Sequence, residues 1–267
     1  MKNEGHISEF ITHIRNNGNT IYQKFGINSF DNVLNGIMPG EVITLLGDSG
    51  SGRTGCAIRM MDYLAIDNSI PILFFCSNYT AEYSICRMLA FRYSLDFKPT
   101  LKELKIANTK SVFDNGLHVL SKAPLFLSVA SHFSIESVEE KCRKYVELER
   151  VKFIFVHMLY LDSNIDNAQR LKILAKDLSV SIIVLDDVFE YRENGVKPSL
   201  RDLYYDRLNE YSDIVIGLCN YSSYHIYQDE RGVDLHDLIG IEILKGRKKE
   251  DLVSFYITQK SLYNRCE

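Results

Sequence analysis

Gly47-Asp48-Ser49-Gly50-Ser51-Gly52-Arg53-Thr54 stands between an apolar run, Val42 to Leu46, and a helical-looking segment that begins near Gly55. The pattern GxxxxGK[ST] sets glycines where backbone N–H groups approach phosphate oxygens, a lysine on the β- and γ-phosphates, and a hydroxyl on Mg²⁺. Gly47, Gly52 and Thr54 satisfy it, and Arg53 takes the place of the lysine. A buried strand before such a loop and a helix N-terminus after it supply free N–H donors and a favourable dipole for an anion. Residues Gly47, Asp48, Ser49, Gly50, Ser51, Gly52, Arg53, Thr54 and Gly55 are therefore the expected nucleotide cradle, with Thr54 as the hydroxyl that would meet Mg²⁺.

Working outward, the same strand-then-helix alternation continues along the chain. Upstream, Phe25 to Leu34 leads through Gly36 and Pro39-Gly40 into a strand at Glu41 to Leu46. Downstream, a helix reaches about Asn68, Ile70 to Cys76 reads as a strand, and Ala81 to Tyr93 has helical spacing. Leu125 to Val129, the run Val151-Lys152-Phe153-Ile154-Phe155-Val156-His157 and Ser181 to Leu185 are further strands. Helices are expected at Ser134 to Leu148, Ala168 to Leu178 and Leu200 to Glu210. Late strands follow at Ile214 to Cys219, Ile239 to Leu244 and Leu252 to Ile257. Continuously apolar strands separated by helices imply an α/β fold, a mostly parallel twisted sheet with helices on both faces and antiparallel strands at the C-terminal edge.

A chain of 267 residues, 46% hydrophobic and 25% charged, suits one such domain, assigned to 21–267 behind an arm or linker at 1–20. The net charge of −4 gives no global attraction to nucleic acid, so any DNA contact needs a local basic patch. Cys56, Cys76, Cys86, Cys142, Cys219 and Cys266 form no CxxC and no zinc spacing, and MKNEGHISEF lacks the apolar core of a signal peptide. A reduced, cytoplasmic protein with no membrane association is expected.

The chain from about Phe25 to Ile257 also resembles the C-terminal motor domain of DnaB-type replicative helicases, which implies a RecA-like P-loop NTPase fold. The resemblance rests on Gly26-Ile27 with Phe30-Asp31, Gly36-Ile37-Met38-Pro39-Gly40, Phe74-Phe75-Cys76-Ser77, Arg87-Met88-Leu89-Ala90 and Ala123-Pro124-Leu125-Phe126-Leu127. Leu174-Ala175-Lys176-Asp177-Leu178 and Pro198-Ser199-Leu200-Arg201-Asp202-Leu203 add to it. Its most specific part is Tyr224-His225-Ile226-Tyr227-Gln228-Asp229-Glu230-Arg231-Gly232 followed by Ile241-Glu242-Ile243-Leu244-Lys245-Gly246-Arg247. The clock-protein and recombinase branches share the entry and the loop and stand as an alternative.

The resemblance implies ATP, or another NTP, with Mg²⁺, and it marks where the hydrolytic groups belong. The glutamate that polarises the attacking water falls at Asn78, and an amide cannot serve as a general base. Glu82 lies nearby, displaced by one turn of helix. The aspartate that helps hold Mg²⁺ falls at His157, and Mg²⁺ prefers oxygen ligands. The polar γ-phosphate sensor falls at Asp186 and Asp187, whose charges would repel phosphate. Taken singly these changes have ordinary readings: Arg53 keeps the charge, Asn78 suits a helix N-cap, and His157 is a strand-end histidine without ligand partners at metal spacing. Their coincidence implies weak Mg²⁺ binding and weak or absent hydrolysis, with Asn78, His157 and Asp187 as degenerate catalytic positions.

By the same resemblance Lys245 and Arg247 correspond to a basic pair that reaches the γ-phosphate of a neighbouring subunit as an arginine finger in trans. A solvated basic turn with Lys248 and Lys249 is the equal alternative. The resemblance also implies a homo-hexamer, or association with a replicative helicase, and loops that grip single-stranded DNA. Here 162–170 carries two acids against one arginine, and 189–198 nearly cancels in charge, so weak DNA binding is expected. Two classes follow: a nonhydrolysing nucleotide-binding protein of DNA replication, or an active ATP-dependent helicase or translocase of a phage or mobile element.

Overall fold

In a computed structural model, residues 22–76, 78–93, 95, 97–158, 161, 166–188, 199 and 208–259 are described, with backbone alone at 78 and 79. The expected strands form in order: β1 (Val42–Gly47), β2 (Ile72–Cys76), β3 (Leu125–Val129), β4 (Phe153–His157), β5 (Ser181–Asp187), β6 (Ile214–Asn220), β7 (Leu238–Lys245) and β8 (Ser254–Thr258). They make one sheet in the order β3-β2-β4-β5-β1-β6-β7-β8. The first six strands pair in parallel, whereas β7 and β8 add antiparallel, as the sequence predicts and as a RecA-like domain requires. The β6–β7 register carries a bulge at Val215/Ile216.

Why the strands are apolar throughout follows from the two cores. Successive side chains point to opposite faces of a strand. Ile43, Leu45, Ile72, Phe74, Phe153 and Phe155 meet one core, and Val42, Leu46, Leu73, Phe75, Ile154 and Val156 meet the other. Each such side chain, fully removed from water, stabilises by roughly 1.5–3 kcal/mol. The polar exception inside β1, Thr44, is satisfied by Ser212, with the two hydroxyl oxygens 2.7 Å apart.

Helices α1 (Asn28–Leu34) and α2 (Arg53–Met61) cover the first face, and α6 (Ile135–Glu149) and α7 (Asn167–Leu178) cover the second. After α2 the chain continues as a wider π turn, Asp62–Asp67, so the helical path does reach the expected end near Asn68. That widening brings residues five apart towards one side. Arg92, on α3 (Asn78–Tyr93), accordingly bonds both Asp62 oxygens at 2.9 Å and Asp67 at 2.6 Å.

Two helices join those predicted, α4 (Leu101–Ala107) and α5 (Lys110–Lys122). They pack Leu104 and Phe113 against Cys86 and Leu89 of α3. Gly116, which argues against a helix by propensity, lets α5 approach α3, since a Cβ there would lie 2.6 Å from Leu89. Of the helix expected at 200–210, only its end, α8 (Leu208–Tyr211), lies among the described residues. The arm 1–20, the loop 189–198, residues 162–165 of the segment 162–170, and Cys266 lie outside them. No helix among the described residues is long and apolar enough to cross a membrane.

Candidate nucleotide site

At the C-terminal rim of the sheet, β1 ends between β5 and β6 with Gly47 opposite Asp187 on one side and Leu218 on the other. His157 ends β4, opposite Leu185 of β5. Open α/β sheets bind ligands in the crevice beyond the carboxyl ends of their strands, and the loop 47–54 closes over that crevice. The turn is built by Ser51 N–H donating to the Asp48 carbonyl at 3.0 Å and by left-handed glycines, Gly50 at φ 82° and Gly52 at φ 102°. Gly47 is needed for space: a Cβ there would stand 2.6 Å from the Leu218 carbonyl oxygen and 2.5 Å from Ser51 Oγ. From β6 and the turn after it, the Asn220 amide donates to the Gly50 carbonyl at 3.2 Å and the Tyr224 hydroxyl donates to Asp48.

The loop opens into a cavity of about 370 Å³ lined by 48–55 together with Thr80, Tyr83, Arg87 and His157. Helix α2 begins at Arg53 and presents its N-terminus to this cavity. Ser51, a residue only 3% exposed, is among the lining residues, and its buried Oγ has no hydrogen-bond partner among the described residues. Backbone donors, a dipole and a spare hydroxyl are the requirements for phosphate, and the cradle fits one.

Arg53 does something a phosphate-loop lysine does not. Its side chain is 8% exposed and runs back to the end of β5, where Nη1 donates to the Asp186 carbonyl at 2.5 Å and Nη2 pairs with Asp187 Oδ1. His157 Nε2 sits 3.5 Å from the other Asp187 oxygen. Burial holds the His157 imidazole below its ordinary pKa of 6.5, Asp187 pulls it upward, and Arg53 pushes it further down. The lowered imidazole favours its neutral form beside the Arg53–Asp187 pair. The repulsion expected between phosphate and Asp187 is therefore relieved inside the chain, because the planar guanidinium reaches two acceptors at once.

Mg²⁺ fits this donor set poorly. It requires near-octahedral oxygen ligation, yet Asp187 faces Arg53 and His157, the β4 terminus offers an imidazole, and Thr54 is left as a hydroxyl on the cavity wall. No group of three or more His, Cys, Asp or Glu among the described residues is disposed to hold a metal.

The other expected positions are placed as follows. Asn78 is the first residue of α3. Glu82 does not line the cavity; its carboxylate accepts from the Leu101 N–H at 2.9 Å. Asp186 is buried at the end of β5. Lys245, at the end of β7, donates to the Asn209 carbonyl at 2.7 Å. Arg247 spends all its nitrogens inside the chain: Nε and Nη2 on Glu41 at 2.5 and 2.6 Å, Nη1 on the Leu34 carbonyl at 2.5 Å, and Nη2 on that of Gly36 at 2.7 Å. Neither residue lines the phosphate-loop cavity.

Arg87 and Tyr83 join the site although no motif of the loop assigns them there. Their four-residue spacing on α3 is the signal, since it puts both on one helical face. The Arg87 guanidinium stacks 3.9 Å above the Phe97 ring and donates to the Tyr83 hydroxyl at 3.0 and 2.8 Å. It is the cation on the cavity wall besides Arg53.

Comparison with known proteins agrees with the fold and the motifs. The family model described as the DnaB-like helicase C terminal domain matches residues 24–251. The replicative DNA helicase DnaB of Treponema pallidum (strain Nichols) is 24% identical over 204 residues, 72% of this chain and 46% of that protein. That of Leifsonia xyli subsp. xyli (strain CTCB07) is 22% identical over 254 residues, 90% of this chain and 54% of that protein. The chain thus spans about half the length of these relatives. Among solved structures, the ATPase domain of G40P superposes with a TM-score of 0.80 at 14% identity, covering 99% of this chain and 100% of that one. A DnaB-like replicative helicase studied with primase gives 0.71 at 14% identity, covering 96% of this chain and 64% of that one.

Proposed function

Because the chain belongs to the family of the DnaB-like helicase C-terminal domain, we propose that it is a cytoplasmic, replication-associated phosphate-loop protein that binds ATP or another NTP and hydrolyses it weakly or not at all. One observation carries this reading: Arg53, in the place of the phosphate-binding lysine, is turned onto Asp186 and Asp187 at the end of β5. A guanidinium held there cannot follow the charge that develops on a γ-phosphate, and stabilisation of that charge is most of what such a site contributes to catalysis. Asn78 and His157 add to it, since neither offers the carboxylate that activates water or helps to hold a metal.

The proposal extends to assembly, with a homo-hexamer or a replicative helicase as the partner and single-stranded DNA as a weak ligand. In such an assembly Lys245 and Arg247 are the candidates for reaching a neighbouring nucleotide. Arg247 would then have to leave Glu41 and two backbone carbonyls. That makes its movement a coupled, costly step rather than a free one.

The test is ATP turnover with and without single-stranded DNA, run beside a titration with a fluorescent ATP analogue. Saturable binding with turnover at background supports the proposal. DNA-stimulated turnover overturns it in favour of a working helicase, and lack of binding removes the nucleotide from the function.

A further inference from the structure

Both oxygens of the Asp187 carboxylate face groups of the chain itself, Arg53 Nη2 on Oδ1 and His157 Nε2 on Oδ2. Asp187 lies opposite Gly47, the first residue of the loop, so an uncompensated carboxylate there would repel phosphate. The second carboxylate of the loop region, Asp48, takes the Tyr224 hydroxyl. Phosphate charge would meet backbone N–H groups at the start of α2, the buried Ser51 hydroxyl, and the Arg87 guanidinium clamped between Tyr83 and Phe97. These groups recognise an anion directly, and none needs a metal as an intermediary.

We propose that this loop takes its nucleoside di- or triphosphate without Mg²⁺, the Arg53–Asp187 pair standing where a metal would otherwise balance the site. The inference rests on the nucleotide-binding reading above and concerns the electrostatics of the same cavity. His157 is a positioning residue in it: a ring that is neutral at pH 7 fills the end of β4 beside Asp187 without adding a second negative charge.

The experiment titrates the full chain with a fluorescent ATP analogue and with its ADP counterpart, in excess Mg²⁺ and in excess EDTA. The dissociation constants in the two buffers are expected to agree within about threefold, whereas a metal-dependent site would favour Mg²⁺ by about tenfold or more. His157→Asp, which sets an oxygen donor and a second carboxylate beside Asp187, is expected to make binding Mg²⁺-dependent by about tenfold. Circular dichroism checks that the variant is folded, and the wild-type comparison decides the matter without it. Tighter wild-type binding in Mg²⁺ by tenfold overturns the inference while leaving nucleotide binding intact. Mg²⁺-independent binding in a folded His157→Asp variant overturns the role given to His157 and Asp187. Absence of binding in both buffers overturns the nucleotide-binding reading itself.

Discussion

Arg53→Met replaces a guanidinium with an apolar side chain of similar length and leaves Asp187 facing the buried end of β5 without its cation. Breaking a buried ion pair from one side costs about 3–5 kcal/mol because the other charge stays desolvated. Asp187 is 20% exposed and borders the cavity, so water recovers part of that penalty. We therefore expect a loss of about 2–3 kcal/mol of unfolding free energy. At roughly 2–4 °C per kcal/mol for a chain of this size, the melting temperature should fall by about 5–10 °C. Asp187→Asn removes the other half and should cost less, since Arg53 keeps the Asp186 carbonyl as an acceptor. Urea denaturation of wild type, both single variants and the double variant completes a thermodynamic cycle. The coupling should be about 2 kcal/mol in favour of the pair. Additivity within about 0.5 kcal/mol would refute the lock, showing Arg53 and Asp187 to be energetically independent however close they lie.

The acid sensitivity of the fold should carry the signature of His157. Its folded pKa lies below 6.5, so the unfolded chain takes up the proton first, and stability present above about pH 6.5 is lost as pH falls towards the folded value. His157→Gln should flatten that part of a melting-temperature profile taken between about pH 8 and pH 5; an unchanged profile would contradict it. Arg247→Ala should cost about 3 kcal/mol in chemical denaturation, because Glu41 is 5% exposed and loses its cation along with two carbonyls that lose their donor. A cost below about 0.5 kcal/mol would instead mark Arg247 as an ordinary surface residue. Arg53→Lys alone should leave ATP turnover at background, since Asn78 and His157 remain; turnover appearing in that variant would show those two positions to be misjudged. Cys76, Cys86 and Cys142 should label slowly in the native protein and fast in urea, as burial raises their thiols to about 12, about 11 and about 12. Peptide mapping after alkylation reads each one separately.

Much of the fold was legible because its signals are local. Strand β4 runs Phe153-Ile154-Phe155-Val156 before it ends at His157, and only a sheet covered on both faces buries such an apolar run. The loop declared itself through glycine spacing, and two of its glycines do adopt left-handed dihedrals. Helices α4 and α5 escaped because the first is a seven-residue element and the second holds Gly116 mid-helix, a penalty that close packing on α3 overrides.

The sequence by itself determined the family motifs, the alternation that makes the sheet, and the substitutions at Arg53, Asn78, His157 and Asp187. It could not say where those side chains point. Read along the chain, Arg53 is a lysine-like charge beside phosphate, and Asp186 and Asp187 are acids that repel it. In three dimensions, parallel pairing of β1 with β5 sets Gly47 opposite Asp187 and brings residues 134 positions apart into one ion pair, turning apparent repulsion into an internal lock. Arg247 behaves alike, a basic turn in sequence and a half-buried partner of the buried Glu41 once the residues after β7 reach those before β1. Residue type is local information, whereas the partner of a charge is set by strand register and by which groups are desolvated together. Only the tertiary structure decides those.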